Sequence, residues 1–207
     1  MKLKNKFIVF EGIDGSGKST QCSLLYDFIK SKNIPVQLLY EPTNGEHGQK
    51  IRKFLQDKIP ISIEEQIHLF IEDRREDYNL NIKPCLDNGI TIVMDRYFYS
   101  NAAYQGSDRI SPHEIIKQNL NQGFPIPDRV YFIDIAPKEA MKRITARNCS
   151  GKTELFEKEA FLEGVRKNFL SIIDKHSMID QHFLKVDGNL TVDEIFNIIK
   201  DDYLKIN

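Results

Sequence analysis

The sequence contains few cysteines and no long apolar run, and these absences exclude several classes of protein. Cys22, Cys85 and Cys149 are widely separated and form no Cys-x-x-Cys pair. An odd count without metal-binding spacing is typical of free thiols in a reducing compartment, so we expect a cytoplasmic protein. The apolar run before Glu11 is four residues long. It is too short for a signal-peptide core or a membrane span.

Charge of either sign is not in excess. The 29 Lys and Arg residues nearly balance the 30 Asp and Glu residues, which gives a formal net charge of −1. This balance predicts neither a nucleic-acid surface nor a basic membrane face. A length of 207 residues accommodates one domain with a sizeable core, or two small ones at most. Because no Pro/Gly linker, repeat or low-complexity tract interrupts the chain, we expect a single domain over residues 1–207.

The segment 12–19 reads Gly-Ile-Asp-Gly-Ser-Gly-Lys-Ser and matches the phosphate-binding pattern Gly-x-x-x-x-Gly-Lys-Ser/Thr. Its glycines allow successive backbone N–H groups to point at phosphate oxygens, and the following helix adds the positive end of its dipole. Lys18 can reach the β- and γ-phosphates, and the Ser19 hydroxyl can ligate Mg²⁺. An apolar run precedes this segment and helical apolar spacing follows it, as the motif requires.

Five short apolar segments predict strands, at 7–10, 36–40, 90–94, 129–135 and 183–186. Helices are predicted between them, with a capping box at Ser62, a start at Ser111 with Pro112 at the first helical position, a cap at Thr191 and a proline start at Pro137. The longer ones are expected at 21–30, 46–56, 62 to about 86 and 157–176. In the helix 46–56 we expect three apolar side chains to face inward: Ile51, Phe54 and Leu55.

This alternation predicts an α/β fold, with a five-stranded parallel sheet and helices on both faces. Ligands of such sheets bind at the carboxyl ends of the strands, so polar residues after strands are the candidates for a site. Asp95 closes the third strand. Beside a phosphate loop it is placed to hold Mg²⁺, directly or through water, although capping of the next turn is an alternative role.

Several arginines are candidates for binding a second phosphate group: Arg74, Arg75, Arg96, Arg143 and Arg147. Each one alone is more typical of a solvated surface. Together they fit an acceptor that already carries a phosphate, because guanidinium groups neutralise and align two repelling anions. Such an acceptor needs no general base, and the five histidines are scattered without a catalytic pairing.

Two further features suggest recognition of a base. Phe70 and Arg74 are four residues apart and share a helix face, where they could stack on a base and donate to its edge. A core Phe beside a surface Arg is the commoner arrangement at this spacing. The segment 100–106, Ser-Asn-Ala-Ala-Tyr-Gln-Gly, carries the amide, hydroxyl and phenol groups of a recognition loop or of a plain polar turn.

Taken together, these residues resemble the thymidylate kinase family. The resemblance is carried, in order and along essentially the whole chain, by 10–20, Glu41-Pro42, Phe70 with Asp73-Arg74, Asp95-Arg96-Tyr97 and 100–106. It implies a P-loop kinase fold with a short lid at about 146–156. It also implies a homodimer built on the long helices, which uses ATP and Mg²⁺ to phosphorylate dTMP to dTDP.

The resemblance implies a role for each matching residue on the acceptor side. Asp14 would bind the 3′-hydroxyl of the sugar, and Arg96 would hold the acceptor phosphate. The remaining acceptor contacts would be stacking of Phe70 on thymine, packing of Pro42 near the 5-methyl group, hydrogen bonds from Arg74 with Ser100 or Asn101 to the base edge, and exclusion of a ribose hydroxyl by Tyr104.

The resemblance implies corresponding roles on the ATP side. The expected ATP-binding residues are Gly12, Ile13, Asp14, Gly15, Ser16, Gly17, Lys18, Ser19, Thr20 and Arg143. Arg143 would flank adenine with the turn at 187–189. The expected catalytic residues are Lys18, Arg96 and Arg147, and the expected metal ligands are Ser19 and Asp95.

The chain departs from the family pattern at two places. Tyr40 precedes the Glu-Pro pair where many relatives have Arg, and the phosphate loop itself contains no Arg. In the lid, Leu155 stands where bacterial-type relatives have Arg. The lid cation is then Arg147 or Lys152, and we favour Arg147 because lysine lacks the planar fork of a guanidinium.

Two alternative classes of function remain open at this point: a kinase for a different acceptor, and a nucleotide-dependent switch. A kinase for another nucleoside monophosphate fits most of the same features. A deoxynucleoside kinase would need a general base, for which Glu11 and Glu41 are the candidates near the loop. A nucleotide-dependent switch would carry a guanine-reading loop such as Asn-Lys-x-Asp, which the sequence lacks.

Overall fold

One parallel sheet of five strands organises the chain: β1 (Phe7–Glu11), β2 (Val36–Tyr40), β3 (Thr91–Asp95), β4 (Arg129–Asp134) and β5 (Phe183–Asp187). The strands lie in the order β2-β3-β1-β4-β5, and every neighbouring pair is parallel. The computed structural model describes residues 5–57, 59–147, 152–174 and 182–206, with only the backbone of residues 147 and 152–157. The predicted strand 36–40 is confirmed, and the other four are confirmed to within one residue at each end.

Helices connect the strands: α1 (Lys18–Ser31), α2 (Glu46–Asp57), α3 (Ile63–Asp77), α4 (Lys83–Asp87), α5 (Phe98–Gln105), α6 (Pro112–Leu120), α7 (Pro137–Arg147), α8 (Lys152–Ile173) and α9 (Val192–Tyr203). The capping boxes at Ser62, Ser111 and Thr191 are present, because each side chain accepts from the backbone N–H three residues on. Among the described helices, none has the length and apolar character needed to cross a bilayer.

Two apolar layers cover the two faces of the sheet, as the prediction of a doubly covered parallel sheet requires. Along β1, Phe7 and Val9 belong to one layer, and Ile8 and Phe10 belong to the other. The first layer is completed mainly by α3, α5, α6 and α8, and the second by α1 and α9. Strand side chains alternate between faces with a period of two, so one strand supplies both layers.

The free thiols that we expected are found at two of the three cysteines. Cys22 and Cys85 are buried and unpaired. Cys149 lies outside the described residues. The predicted helix at 62–86 is interrupted, because a π-helical turn at Tyr78–Ile82 separates α3 from α4.

Three other expectations are wrong. Leu55 does not face inward with its neighbours, since 54% of it is exposed whereas Ile51 is fully buried. The segment 100–106 is not a loop, because α5 spans Phe98–Gln105 and is buried at seven of its eight positions. Most of its polar residues are buried rather than exposed to solvent, so α5 lacks the exposed polar face by which a surface helix is recognised. The third is only the start of a helix: the long helix expected at 157–176 is present as α8, but it begins five residues earlier, at Lys152.

The carboxyl edge of the sheet is rich in acidic groups. Four of the five strands end on a carboxylate: Glu11, Asp95, Asp134 and Asp187. The phosphate loop leaves the sheet at the same edge, immediately after β1. The fold therefore brings the loop, the strand-end carboxylates and the start of α5 to one end of the sheet.

Candidate active site

The phosphate loop has the backbone geometry that its glycines permit. Gly15 has φ +83°, and a Cβ at this position would lie 2.6 Å from the carbonyl oxygen of Ala140. Gly17 precedes α1 with φ +97°, and no side chain caps the helix. The first turn of α1 contains no acidic residue. The N–H groups at the start of α1 are therefore left for an anionic ligand, which the helix dipole favours.

Lys18 lies within this loop rather than in solvent. Its Nζ donates to the carbonyl oxygen of Ile13 at 3.3 Å and lies 4.0 Å from Oδ1 of Asp14. Burial lowers the pKa of the Lys18 ammonium to about 8. For Asp14, burial acts to raise the pKa, but the charges of Arg96 and Lys18 outweigh it, so the pKa is lowered. A partly desolvated cation in a ring of backbone N–H groups is suited to binding phosphate.

Asp95 carries an unsatisfied oxygen, which bears on the predicted magnesium site. Its Oδ1 is buried and has no hydrogen-bond partner among the described residues. Such an atom needs a partner, and a Mg²⁺ ion or one of its waters would supply one. The described residues contain no group of three or more His, Cys, Asp or Glu side chains that could hold a metal alone. That fits Mg²⁺ held by one or two protein oxygens, phosphate and water.

A cavity of about 400 Å³ opens beside the loop, and it contains every residue that we expected to bind the acceptor. Those lining residues are Asp14, Pro42, Phe70, Arg74, Arg96, Ser100, Asn101 and Tyr104. Residues from four separate parts of the chain thus meet at one place. The volume suits a ligand of nucleotide size.

Arg96 stands where the cavity meets the phosphate loop. It has φ +71°, an uncommon conformation for a residue with a side chain. Its guanidinium donates to Oδ1 of Asp14 at 2.5 Å, to Oγ of Ser100 at 2.9 Å and to the hydroxyl oxygen of Tyr104 at 3.3 Å. A strained backbone and three side-chain partners fix the position of this cation.

Glu11 supports the same region from behind. Its Oε1 accepts from the backbone N–H groups of Tyr97, at 2.9 Å, and Ser100, at 3.1 Å, and its Oε2 accepts from Oγ of Ser100 at 2.5 Å. The residue is fully buried. Burial raises the pKa of its carboxyl to about 7. Glu11 therefore anchors the start of α5 and is not free to act as a general base.

Arg74 is fully buried, whereas spacing alone favoured a surface arginine. Its Nε and Nη2 donate to the two carboxylate oxygens of Glu41, with the first bond at 3.1 Å. Its Nη1 donates to Asn119. The guanidinium also lies 5.1 Å from the ring centroid of Tyr97 and 5.9 Å from that of Phe124. A donor of this rigidity can read a planar base edge.

Glu41 is committed to this pair and is unsuited to the role of a general base. Burial raises the pKa of its carboxyl, and the Arg74 guanidinium opposes that effect. The next residues are also tied to α3, because the backbone N–H and Oγ1 of Thr43 donate to Asp73 at 2.9 Å and 2.6 Å. Pro42 is thereby held at the wall of the cavity.

Sequence reasoning missed several residues of the cavity. Leu55, Gln66, Gln105 and Phe161 also line it. Gln66 lies four residues before Phe70 on α3, and that spacing was a usable signal. Gln105 lies within the segment 100–106 that we had singled out. No sequence signal identified Phe161, whose ring contacts that of Tyr104 edge-on with centroids 6.0 Å apart.

The ATP-side residues are partly described. Arg143 on α7 donates to the carbonyl oxygen of Gly188 at 2.9 Å, so the two elements expected to flank adenine are together. Ser19 and Thr20 are exposed at the start of α1. The predicted lid cation, Arg147 rather than Lys152, lies outside the described part of the structure, since nothing is described of the side chains of Arg147, Lys152 and Leu155.

Known proteins resemble this chain along most of its length. A family model described as thymidylate kinase matches residues 10–198. A thymidylate kinase of Leptospira interrogans is 43% identical over 196 residues, which cover 93% of this chain and 92% of that protein. One from Leptospira borgpetersenii is 40% identical over 206 residues, covering 99% and 97%. A probable thymidylate kinase of Archaeoglobus fulgidus is 36% identical over 188 residues, covering 91% and 89%.

Proposed function

The chain belongs to the thymidylate kinase family, and we propose that the cavity beside its phosphate loop is the binding site of the acceptor nucleotide. The enzyme transfers the γ-phosphoryl group of ATP to dTMP and forms dTDP and ADP. One observation carries the assignment of the site. The cavity runs from Arg96, at the loop, to the buried fork of Arg74, so it has a phosphate end and a base end.

On the ATP side, the phosphate loop holds the triphosphate. The N–H groups at the start of α1 and the Lys18 ammonium bind the β- and γ-phosphates. Ser19 and Asp95 would hold Mg²⁺, which would neutralise charge on the phosphates. The unsatisfied Oδ1 of Asp95 supports this role. Arg143 and the turn at 187–189 flank the adenine.

On the acceptor side, Arg96 holds the phosphate of dTMP. The attacking oxygen belongs to a phosphate that is already largely deprotonated at neutral pH. It needs a positioned cation rather than a base, and both nearby glutamates are engaged in hydrogen bonds. Asp14 binds the 3′-hydroxyl, and its carboxylate and the acceptor phosphate both contact the Arg96 guanidinium. Positioning and charge neutralisation therefore carry the catalysis.

At the base end, Phe70 stacks on thymine and Pro42 packs near the 5-methyl group. Arg74 donates to the base edge, together with Ser100 or Asn101. Tyr104 lies under the sugar, where an added ribose hydroxyl would meet its ring. This steric exclusion gives a moderate preference for deoxyribose.

Three further expectations join the proposal. Arg147 is the lid cation that closes over the transferred phosphoryl group. The protein is cytoplasmic. It is also a homodimer built on its long helices, and a surface groove of about 380 Å³ beside α3, with Ile67 and Ile71 in its wall, supports packing of a second copy there. Light scattering at micromolar concentration tests this, and a monomer would contradict it.

An acceptor panel tests the function. ADP formation is measured with ATP, Mg²⁺ and each of dTMP, dUMP, UMP, AMP and thymidine. We expect the fastest turnover with dTMP, less with dUMP, and little with the other three. Lys18→Met, which removes the ammonium but keeps the length of the side chain, should reduce turnover by orders of magnitude while leaving thermal unfolding nearly unchanged. Rapid phosphorylation of thymidine, or wild-type rates in Lys18→Met, would refute the mechanism.

A further inference from the structure

A continuous chain of side-chain hydrogen bonds passes behind the base end of the cavity. It begins at Arg74, whose Nη1 donates to Oδ1 of Asn119. Nδ2 of Asn119 lies 3.4 Å from Oδ1 of Asn101. Nδ2 of Asn101 lies 3.1 Å from Oε1 of Gln105, and Nε2 of Gln105 lies 3.4 Å from Oε1 of Gln66. Four amides in sequence thus link α6, α5 and α3.

The two ends of this chain fix the direction of every bond in it. Arg74 can only donate, because a guanidinium has no acceptor. At the other end, Nε2 of Gln66 donates to the backbone carbonyl oxygen of Ile61 at 3.3 Å, and a carbonyl can only accept. An amide that turned by 180° would place N–H against N–H and oxygen against oxygen. No single amide can therefore turn without breaking two bonds.

Asn119 connects the fixed cation to the amides. It is fully buried on α6 and is not among the residues that line the cavity. Its Nδ2 also donates to the backbone carbonyl oxygen of Ile115 at 2.9 Å. That second bond fixes which side of the Asn119 amide faces Arg74 and which faces Asn101.

We propose that Asn119 is a specificity-determining positioning residue, which ties the amides of Asn101 and Gln105 to Arg74 and so fixes the hydrogen-bond pattern presented to a pyrimidine. The proposal rests on the assignment of the cavity to the acceptor base. Asn119 acts through its neighbours, since Arg74, Asn101 and Gln105 line the cavity and Asn119 does not.

The fixed pattern distinguishes thymine from cytosine. Thymine presents a carbonyl acceptor at position 4 and an N–H donor at position 3. Cytosine presents an amino donor and a ring-nitrogen acceptor at the same places. Three of the five N–H groups of Arg74 are used within the protein, which leaves two donors for a ligand. Amides free to turn could adapt to either base, but amides tied to Arg74 cannot.

A conservative change at Asn119 tests the idea. Asn119→Asp keeps the shape and the acceptor for Arg74 but removes the donor to Asn101. The new carboxylate oxygen would face Oδ1 of Asn101 and repel it, which favours turning of the Asn101 amide so that it donates toward α6. The measurements are kcat/KM for dTMP and for dCMP, with the inhibition constant of dCMP against dTMP as a second measure where dCMP turnover is too slow.

We expect the preference for dTMP over dCMP to fall by about tenfold or more, the equivalent of one or two hydrogen bonds. Asn197→Asp is the matched control, since Asn197 is exposed on α9, lies outside the cavity and should keep the wild-type preference. Asn119→Ser introduces no charge. If Asn119→Asp does not fold, the preference for dTMP over dCMP is measured in Asn119→Ser instead.

The outcomes separate this inference from the proposed function. If wild-type protein turns over dTMP but Asn119→Asp lowers both kcat/KM values by the same factor, Asn119 is merely structural and the inference is overturned. If wild-type protein does not turn over dTMP at all, the assignment of function fails first. A larger loss for dTMP than for dCMP, with normal thermal unfolding, supports the proposal.

Discussion

Removing the charge of Glu41 should be among the most destabilising single changes at the site. Glu41 and Arg74 form a bidentate ion pair with side-chain exposures of 3% and 1%. In Glu41→Gln one carboxylate oxygen becomes an NH₂ group that faces the guanidinium. Arg74 cannot lose its proton, so it would remain as a buried, uncompensated cation. The remaining bond to Asn119 and the rings of Tyr97 and Phe124 would offset little of that cost.

The expected magnitude follows from the burial of both partners. Breaking a buried ion pair by changing one partner costs about 3–5 kcal/mol. Natural domains have a free energy of unfolding of only about 5–15 kcal/mol. For a protein of this size the change corresponds to a fall in Tm of roughly 6–20 °C. The variant should therefore fold at low temperature but have a much smaller free energy of unfolding than the wild-type protein.

Urea unfolding at pH 7.5, followed by far-UV circular dichroism, measures the change. Glu46→Gln is the matched control, because Glu46 pairs with Lys50 on the exposed face of α2 and exposed pairs contribute little. Its midpoint should stay within error of wild type. A loss under about 1 kcal/mol in Glu41→Gln, against the 3–5 kcal/mol expected, would refute the reasoning. It would mean that burial already keeps Glu41 uncharged in the folded wild-type protein.

Three further changes test other parts of the site. Arg96→Lys should raise the KM for dTMP and lower kcat, so that kcat/KM falls by about tenfold to a hundredfold. The reason is that an ammonium cannot reach Asp14 and Ser100 at once. Unchanged steady-state kinetics would contradict this. Tyr104→Phe should raise the KM for dTMP several-fold, because the contact with Arg96 is lost. It should keep the preference for dTMP over UMP, because the ring that excludes the ribose hydroxyl remains. Equal turnover of dTMP and UMP would instead assign that exclusion to the Tyr104 hydroxyl. Burial raises the pKa of Glu11 from 4.5 to about 7. Between these pH values the folded protein binds more protons than the unfolded chain, so its free energy of unfolding falls as the pH rises. Glu11→Gln should lack this pH dependence in urea unfolding, and the same pH dependence in both proteins would rule out the Glu11 contribution.

Much of the fold could be predicted because its signals are local. The strand 36–40 was found at its predicted bounds, and three predicted helix starts, at Ser62, Ser111 and Thr191, have capping boxes in the structure. These signals depend on residues within three or four positions of each other. The π-helical turn at Tyr78–Ile82 has no comparable local pattern, and the buried helix α5 lacks the exposed polar face of a surface helix.

The cavity was predictable at the level of its motifs but not of its supporting residues. The expected acceptor residues do meet, as the family resemblance implied. For Arg74 the helical spacing predicted the wrong environment, because a lone arginine on a helix is normally at the surface. What buries it is Glu41, 33 residues away, and Asn119, 45 residues away. Contacts at such separations follow from the sheet order and cannot be read from periodicity.

The residues that escaped local reasoning share one physical property. Glu11, Glu41, Arg74 and Asn119 are polar, almost fully buried and individually costly to desolvate. Each is tolerated because long-range partners satisfy it, and those partners belong to the elements that shape the cavity. Replacing such a group with an apolar one of similar size can leave stability nearly unchanged when its partner is replaced as well. The position of Arg74 and the direction of the amides would still be lost. The contribution of these groups is therefore to the geometry of the cavity more than to the free energy of unfolding.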